Sequence, residues 1–308
     1  MNKRLPSLYC LLAVLLLIPT ACMGAKPIPT LISLPPTQSP LPSGTPLPTE
    51  TPSPSETPLP SETPLPTITP EGEIGSTWKR PMDNMVMVYV PKGLFTMGSN
   101  LGDPDEQPIH DVYMDAFWID QTEVTYTMYA RFVPARSGRD AVISVSWEQA
   151  VAYCSWVGSR LPTEAEWEKA ARGPEERIYP WGNQLPTGDL ANFADLKSRL
   201  SWEDTSVNDG YANVAPVGSY PAGASFYGAL DMAGNVSEWV NDWYDEKYYS
   251  STPLTNPPGP GAGDFRVLRG GSWYGTASNI RSSDRSWYIP EGSTDYSGFR
   301  CAQSTVAP

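Results

Sequence analysis

The sequence predicts an α+β domain with few short helices and strands and with many loops, in residues 77–308 of the 308-residue chain. Apolar, β-branched stretches in its first part indicate strands, and two capped amphipathic patterns after them indicate helices. Beyond Gly173, glycine, proline, asparagine and aspartate recur throughout, which is typical of turns joined by short strands. Together these patterns favour an α+β fold in which loops form much of the structure.

Residues 1–21 have the features of a lipoprotein signal peptide. A positively charged start precedes an apolar run, residues 8–18, that is too short to span a bilayer unaided. Small residues then precede Cys22, as in a bacterial lipobox, where the cysteine is acylated. We therefore expect lipidation at Cys22 and an exported protein anchored in the cell membrane by lipid. Pro19 stands where a lipobox usually has leucine, which leaves an ordinary cleaved signal open.

Residues 22–76 are predicted to form a disordered stalk. Of the 34 prolines in the chain, 15 lie between Pro27 and Pro70, within an imperfect SETPLP repeat. Proline fixes φ and removes a backbone donor, and almost nothing in this tract is apolar enough to form a core. At roughly 3.1 Å per residue, the proline-rich part of about 45 residues extends up to about 140 Å.

The domain is predicted to begin with two strands, at residues 85–90 and 93–98, and a weaker helix pattern follows at 125–133. A clear helix starts at Ser146, which forms a capping box with Gln149, and ends at Gly158. The next starts at Thr163, boxed with Glu166, and stops at Gly173. We expect it to turn its tryptophan and alanines inward.

Charge and histidine content exclude two classes of function. The formal net charge is -13, and an acidic surface repels phosphate backbones, so we expect no nucleic-acid partner. His110 is the one histidine of the chain, which excludes a multi-histidine zinc or iron site. The same acidity suits the binding of hard cations.

Ordered motifs across the domain resemble the formylglycine-generating enzyme (sulfatase-modifying factor) family. They read VPKGLFTMGS, FWIDQTEVT, VSWEQAVAYC, RLPTEAEWE, PWG, DMAGNVSEW, RGGSW and GFRC, between Val90 and Cys301. The resemblance implies a loop-rich formylglycine-generating-enzyme fold that is related to the C-type lectin fold. It also implies an activity, because active members oxidise a sulfatase cysteine to formylglycine with copper held by two cysteines.

The two positions that match those copper ligands hold Gly275 and Ile280. Neither residue can supply the soft thiolate that selects Cu(I). We therefore expect no copper, no catalytic residues, and a non-catalytic domain that binds an extracellular protein, peptide or glycan. The alternative is an enzyme of the same family, forming formylglycine or modifying a protein in another way, that works without the cysteine pair.

The four cysteines fall into two groups. Cys10 lies in the predicted signal and Cys22 is the lipidation site, which leaves Cys154 and Cys301 in an exported domain. Both match positions that form a structural disulfide in the related enzymes. Closing so long a loop contributes about 4–5 kcal/mol in the chain-entropy model. Two free thiols in a redox or metal site remain the alternative.

Calcium is the expected cofactor, because active relatives carry two calcium sites whose ligands can be matched one by one. The first set supplies side chains from Asn192 and Asp209 and carbonyls from Phe193 and Tyr211. The second supplies side chains from Asp231 and Glu238 and carbonyls from Gly234 and Val236. Calcium prefers six to eight hard oxygen ligands of these kinds. The alternative is that these side chains only satisfy turn donors.

Residues 274–297 occupy the position of the family's active-site loop and are rich in aromatic and small polar residues. Such a composition is typical of adaptable binding surfaces. We expect a ligand-binding surface, and the aromatic candidates for it are Tyr274, Trp287, Tyr288 and Tyr296. Arg281 and Arg285 either join this surface or only brace the fold.

Overall fold

The structure is a computed structural model that describes residues 72–134 and 137–305. The predicted signal peptide, the lipidation site Cys22 and the stalk up to residue 71 lie outside the described residues. None of the described helices is long and apolar enough to cross a membrane.

Ten strands and three short helices make up the regular structure of the described residues. The strands are β1 Thr77–Lys79, β2 Val86–Val90, β3 Gly93–Met97, β4 His110–Met114, β5 Phe117–Asp120, β6 Ser237–Trp243, β7 Arg266–Arg269, β8 Arg285–Tyr288, β9 Ser297–Phe299 and β10 Ala302–Ser304. The helices are α1 Tyr126–Tyr129, α2 Trp147–Trp156 and α3 Glu164–Arg172. Single 3₁₀ turns lie at Pro104–Glu106, Gly173–Glu175, Pro221–Gly223 and Tyr248–Ser250. The predicted α+β, loop-rich fold is confirmed.

The strands form three small sheets. One has the order β1-β2-β5-β10, the second pairs β3 with β4, and the third has the order β8-β7-β6-β9. Pairing is antiparallel except between β6 and β9, which run parallel. The C-terminal strand therefore joins the sheet that begins the domain, while residues 237–299 build a sheet of their own.

The predicted helix boundaries hold for α2 and α3 but not for α1. Both predicted capping boxes are present, with the Ser146 and Thr163 side chains accepting from Gln149 and Glu166. The helix predicted at residues 125–133 is wrong beyond Tyr129, because the amides of Arg131 and Phe132 bond only three residues back. That bonding makes a tight turn rather than a continued α-helix.

Large aromatic side chains fill the core. Trp118, Trp167 and Trp239 are almost fully buried. One apolar cluster lies between the first sheet and α1 and α2, and Tyr129 stacks on Tyr153 there with ring centroids 5.5 Å apart. A second cluster surrounds Trp167 and includes residues of β2, β5, β6 and β7.

The disulfide that the resemblance implied joins Cys154 of α2 to Cys301, which precedes β10. The two cysteines are 147 positions apart and both are fully buried in the first cluster. The bond therefore ties a helix of the first half to the last strands of the domain. In the described part of the chain it uses every cysteine, so no free thiol remains there.

Helix α3 is buried along its whole length, its charged residues included. Glu164 pairs with Arg285, and Glu168 pairs with Arg172 and Arg269. Glu168 also accepts from the Gly98 amide at 2.8 Å. A buried carboxylate is tolerated only when it is paired and hydrogen-bonded, so these contacts are needed for α3 to lie at the centre of the domain.

Replacing Glu168 with glutamine is expected to lower the free energy of unfolding by about 3–5 kcal/mol, because Arg269 and Arg172 would keep buried charges without their counter-ion. Chemical denaturation of the purified protein measures this. The matched control is Glu175→Gln, which removes an exposed carboxylate paired with Arg177 and should cost less than about 1 kcal/mol. Equal losses in the two variants would show that the buried network does not stabilise the fold.

Candidate functional site

A cleft of about 290 Å³ opens where the C-terminal loop meets the third sheet. We call it the aromatic cleft, and its lining residues are Trp202, Ser237, Gly271, Ser272, Tyr274, Gly275, Thr276, Asn279, Asp284, Ser286 and Tyr296. A larger cavity of about 600 Å³ lies elsewhere, and two of its charged side chains, Arg160 and Glu166, pair with each other. The aromatic cleft contains one of the two positions that match the family's copper ligands.

Those two positions have structural roles here. Ile280 is fully buried in an apolar cluster with Tyr179 and Phe193. Gly275 accepts from the Ala194 amide at 2.8 Å, and a Cβ added to it would meet the Asn279 Cβ at 3.0 Å. The loop therefore closes tightly on itself at the place where a thiolate pair would hold copper.

The structure brings together two of the four predicted aromatic residues. Tyr274 and Tyr296 stack at the aromatic cleft, with ring centroids 5.4 Å apart and planes within 10°. Trp202 meets Tyr274 edge to face at 4.9 Å and donates from its indole nitrogen to the Tyr274 carbonyl. Sequence reasoning missed Trp202, although a tryptophan in so polar a segment is a usable signal.

Trp287 and Tyr288 do not line the aromatic cleft. Trp287 lies on the other face of β8, against Phe265 and Tyr244, at centroid distances of 4.3 and 5.6 Å. Tyr288 packs against the first apolar cluster. Side chains alternate across a strand, so neighbours on β8 cannot share one face. The predicted four-residue surface is therefore divided.

Arg281 and Arg285 brace the fold. Arg285 donates from Nε and Nη2 to Glu164, at 2.7 and 3.0 Å, and also bonds the Asp105 carbonyl. Arg281 binds both oxygens of Glu106, at 2.8 and 2.6 Å. Neither arginine is among the residues that line the aromatic cleft.

The first predicted calcium set lies in the loops between α3 and β6. The side-chain nitrogen of Asn192, Nδ2, donates to the Asn213 carbonyl and to the side chain of Asn235. Its side-chain oxygen, Oδ1, is buried and has no partner among the described residues. Asp209 accepts from the amides of Phe193 and Tyr211, at 3.0 and 2.8 Å. Burial, helped by repulsion from Asp195, raises the pKa of Asp209 to about 6.

The second predicted set lies directly beside the first. Asp231 accepts from the Gly218 amide at 2.6 Å, and both oxygens of Glu238 bind Arg300 at 2.6 Å. Gly234 has a φ of +79°, and a Cβ there would lie only 2.1 Å from the Asn192 carbonyl oxygen. Only glycine allows this approach, which brings the two loops together.

Glu123 is a member of this region that sequence reasoning missed. Its side chain is fully buried, Oε1 accepts from Asn235 at 2.9 Å, and Oε2 has no partner in the described chain. Burial, followed by repulsion from Asp231 and Glu238, raises the pKa of Glu123 well above its usual value. The sequence contained a signal for this buried carboxylate, because Glu123 lies in the FWIDQTEV motif, which begins and ends with apolar residues.

The donor chemistry of both sets fits a hard divalent cation. Three buried carboxylates, those of Glu123, Asp231 and Glu238, face the single guanidinium of Arg300. The orphaned oxygens of Asn192 and Glu123 are amide and carboxylate oxygens, which are the ligands that calcium prefers. Buried acceptors without donors are unfavourable, so these atoms call for a proton or a cation.

Comparisons with known proteins agree with these motifs. The family described as "Sulfatase-modifying factor enzyme 1-like domain" matches residues 73–305. The formylglycine-generating enzyme of Streptomyces coelicolor is 34% identical over 288 residues, covering 72% of this chain and 90% of that protein. The inactive C-alpha-formylglycine-generating enzyme 2 of Mus musculus is 38% identical over 173 residues, which span 54% of this chain and 50% of that protein.

Among solved structures, PvdO from Pseudomonas aeruginosa superposes with a TM-score of 0.65 and 26% identity. The match covers 76% of this chain and 99% of that one. Family motifs, a sequence match over most of the chain and a shared fold thus agree. The chain belongs to the formylglycine-generating enzyme (sulfatase-modifying factor) family, and it lacks that family's catalytic cysteine pair.

Proposed function

We propose that this protein is a surface-anchored, non-catalytic member of its family whose aromatic cleft binds a protein, peptide or glycan. The observation that carries the proposal is the replacement of both copper-binding positions by Gly275 and Ile280. Ile280 is buried among apolar side chains, and the remaining cysteines of the domain form a disulfide. A family oxidase needs thiolates at that place, since soft ligands hold Cu(I). The mouse relative named inactive supports the existence of non-catalytic members.

Two features of the aromatic cleft support a binding role. Tyr274 is 39% exposed and Trp202 is 44% exposed, so aromatic surface is available to a ligand. Hydroxyl and amide groups of Ser237, Ser286 and Asn279 lie along the same cleft. Aromatic faces beside small polar groups are the usual elements of adaptable recognition surfaces.

The protein, incubated with copper, reductant and a Cys-x-Pro-x-Arg peptide, is expected to leave the peptide cysteine unchanged, because no thiolate pair can hold the metal. Mass spectrometry detects conversion of the cysteine to an aldehyde. The positive control is the Streptomyces coelicolor relative under identical conditions. Conversion of the peptide by this chain would overturn the non-catalytic proposal and favour an enzyme that works without the cysteine pair.

The anchoring part of the proposal rests on Cys22, which follows small residues after a short apolar run. Expression in a bacterial host with a radiolabelled fatty acid should label the protein, and Cys22→Ala should abolish the label. The matched control is Cys10→Ala, which lies inside the predicted signal and should leave labelling intact. Label that persists in the Cys22 variant would argue against the lipid anchor.

We further propose that Ca²⁺ is held by the two sets described above, with Glu123 as an added ligand of the second. The orphaned oxygens of Asn192 and Glu123 support this, as does the surplus of buried carboxylates over Arg300. Bound calcium would neutralise these carboxylates and order the surrounding loops, because binding to the folded state alone adds to its stability.

Calcium at about 100 times its Kd is expected to raise the Tm by about 5–10 °C over the value in chelator. Glu123→Gln should reduce this shift while leaving the chelator Tm equal or higher, since a neutral amide replaces a carboxyl whose charged form burial and the neighbouring carboxylates disfavour. Differential scanning calorimetry measures both values. Glu175→Gln, an exposed carboxylate, should keep the full shift. A calcium shift that is absent in the unmodified protein would refute the metal proposal.

A further inference from the structure

Asp284 is the single charged residue among those that line the aromatic cleft. It is only 7% exposed, and its Oδ1 lies 3.3 Å from Nη2 of Arg281. In the described chain, Arg281 is the one group that donates a hydrogen bond to this carboxylate. A nine-tenths buried carboxylate at the wall of a cleft therefore keeps an open acceptor.

The charges around Asp284 do not balance. Arg281, from the same loop, is already bound by both oxygens of Glu106. Oxygens of Asp103, Glu106 and Asp284 all lie within 4.8 Å of one another. Arg269 of β7 donates to the Asp284 carbonyl rather than to its carboxylate. Three carboxylates thus face two guanidiniums, those of Arg281 and Arg269, and Arg269 is already paired with Glu168, so negative charge is in excess around Asp284.

Aromatic rings face the same space. Tyr274 and Tyr296 are stacked, and Trp202 closes the end of the row. The faces of such rings carry negative partial charge and attract cations placed within about 6 Å. A volume of about 290 Å³ suits one side chain or a small amine rather than a large ligand.

We propose that the aromatic cleft binds a cationic side chain of a peptide or protein, an ammonium or a guanidinium, with Asp284 as its counter-ion and the Tyr274 and Tyr296 rings beside it. This inference rests on the proposed binding function and names its ligand class. A neutral sugar would satisfy the hydroxyl-rich side of the cleft, but it would leave the Asp284 charge uncompensated.

The acidity of Asp284 gives this ligand class a distinct pH profile. The pKa of Asp284 is raised to about 7, chiefly by burial and also by nearby Glu106 and Asp103, although Arg281 and Arg269 lower it. The carboxyl is therefore mostly neutral at pH 6 and mostly ionised at pH 8. Binding of a cation whose own charge is constant should tighten about tenfold between these values, in proportion to the ionised fraction.

The test measures fluorescence anisotropy of labelled peptides with one arginine or one lysine in a glycine–serine background. Identical peptides with glutamine or glutamate in that place, and a neutral oligosaccharide, are the comparison ligands. We expect the basic peptides alone to bind, more tightly at pH 8 than at pH 6. Asp284→Asn should weaken binding at pH 8 about tenfold and remove the pH dependence. The matched variant Glu175→Gln loses one exposed carboxylate and should bind normally.

Tyr274→Leu provides a second variant, because its side chain is exposed enough to be replaced without unfolding the domain, and it should also weaken the basic peptides. Basic peptides that bind equally well to both variants would be held by the acidic surface, which would overturn the inference. Absence of any peptide binding would also overturn it. If the oligosaccharide binds instead and Tyr274→Leu abolishes this, the cationic ligand is wrong while the proposed binding function stands.

Discussion

Helix α3 is buried on all sides although five of its nine residues are charged. Its burial constrains the rest of the fold, because each buried charge needs a partner. Desolvating a carboxylate costs several kcal/mol unless a partner offsets the loss. Glu168 pairs with Arg172 on α3 itself, but Glu164 and Glu168 also pair with arginines from β7 and β8 that are more than 100 positions away in sequence. These pairs require the third sheet to close over the helix. In a fold with short strands and few helices, these buried ion pairs fix the position of the helix against the sheet. In other proteins a larger aliphatic core does this.

The same network positions the aromatic cleft. Glu168 holds Arg269, and Arg269 donates to the carbonyls of Ser283 and Asp284. The backbone that carries Asp284 is therefore attached to α3 through two successive contacts. Arg281 is attached in turn to Glu106, on the turn that follows β3. A loop that would otherwise be mobile after the Gly-Gly-Ser motif gains a fixed backbone, which is what a preorganised binding site needs. Gly275 and Ile280 take no part in these contacts.

Local patterns predicted the parts of the fold that local interactions determine. Capping boxes placed α2 and α3, and the apolar run placed β2, because each depends on residues a few positions apart. The predicted α1 was too long, since the amides of Arg131 and Phe132 bond only three residues back and end the helix in a tight turn. The division of Trp287 from Tyr274 depends on β8, whose four residues lie inside the segment predicted as a single binding surface. Trp202 and Tyr274 are 72 positions apart, and only the tertiary fold brings them into contact. We expected the tryptophan and alanines of α3 to turn inward, whereas its charged residues are buried as well, because distant arginines compensate them.

Between α3 and β6 the described chain forms no α-helix and no strand beyond isolated bridges. Long-range hydrogen bonds in which side-chain oxygens accept from backbone amides, such as those of Asp209 and Asn235, take the place of sheet ladders there. Each such acceptor must be buried to reach its donor, so the segment accumulates desolvated oxygens that no protein donor satisfies. Asn192 in this segment retains one, and so does Glu123, which follows β5 and accepts from Asn235 of the segment. In a segment without regular structure, a cation can bind to oxygen atoms that are left unpaired in this way. Its binding would require the folded segment, and the bound cation would in turn stabilise that folded segment.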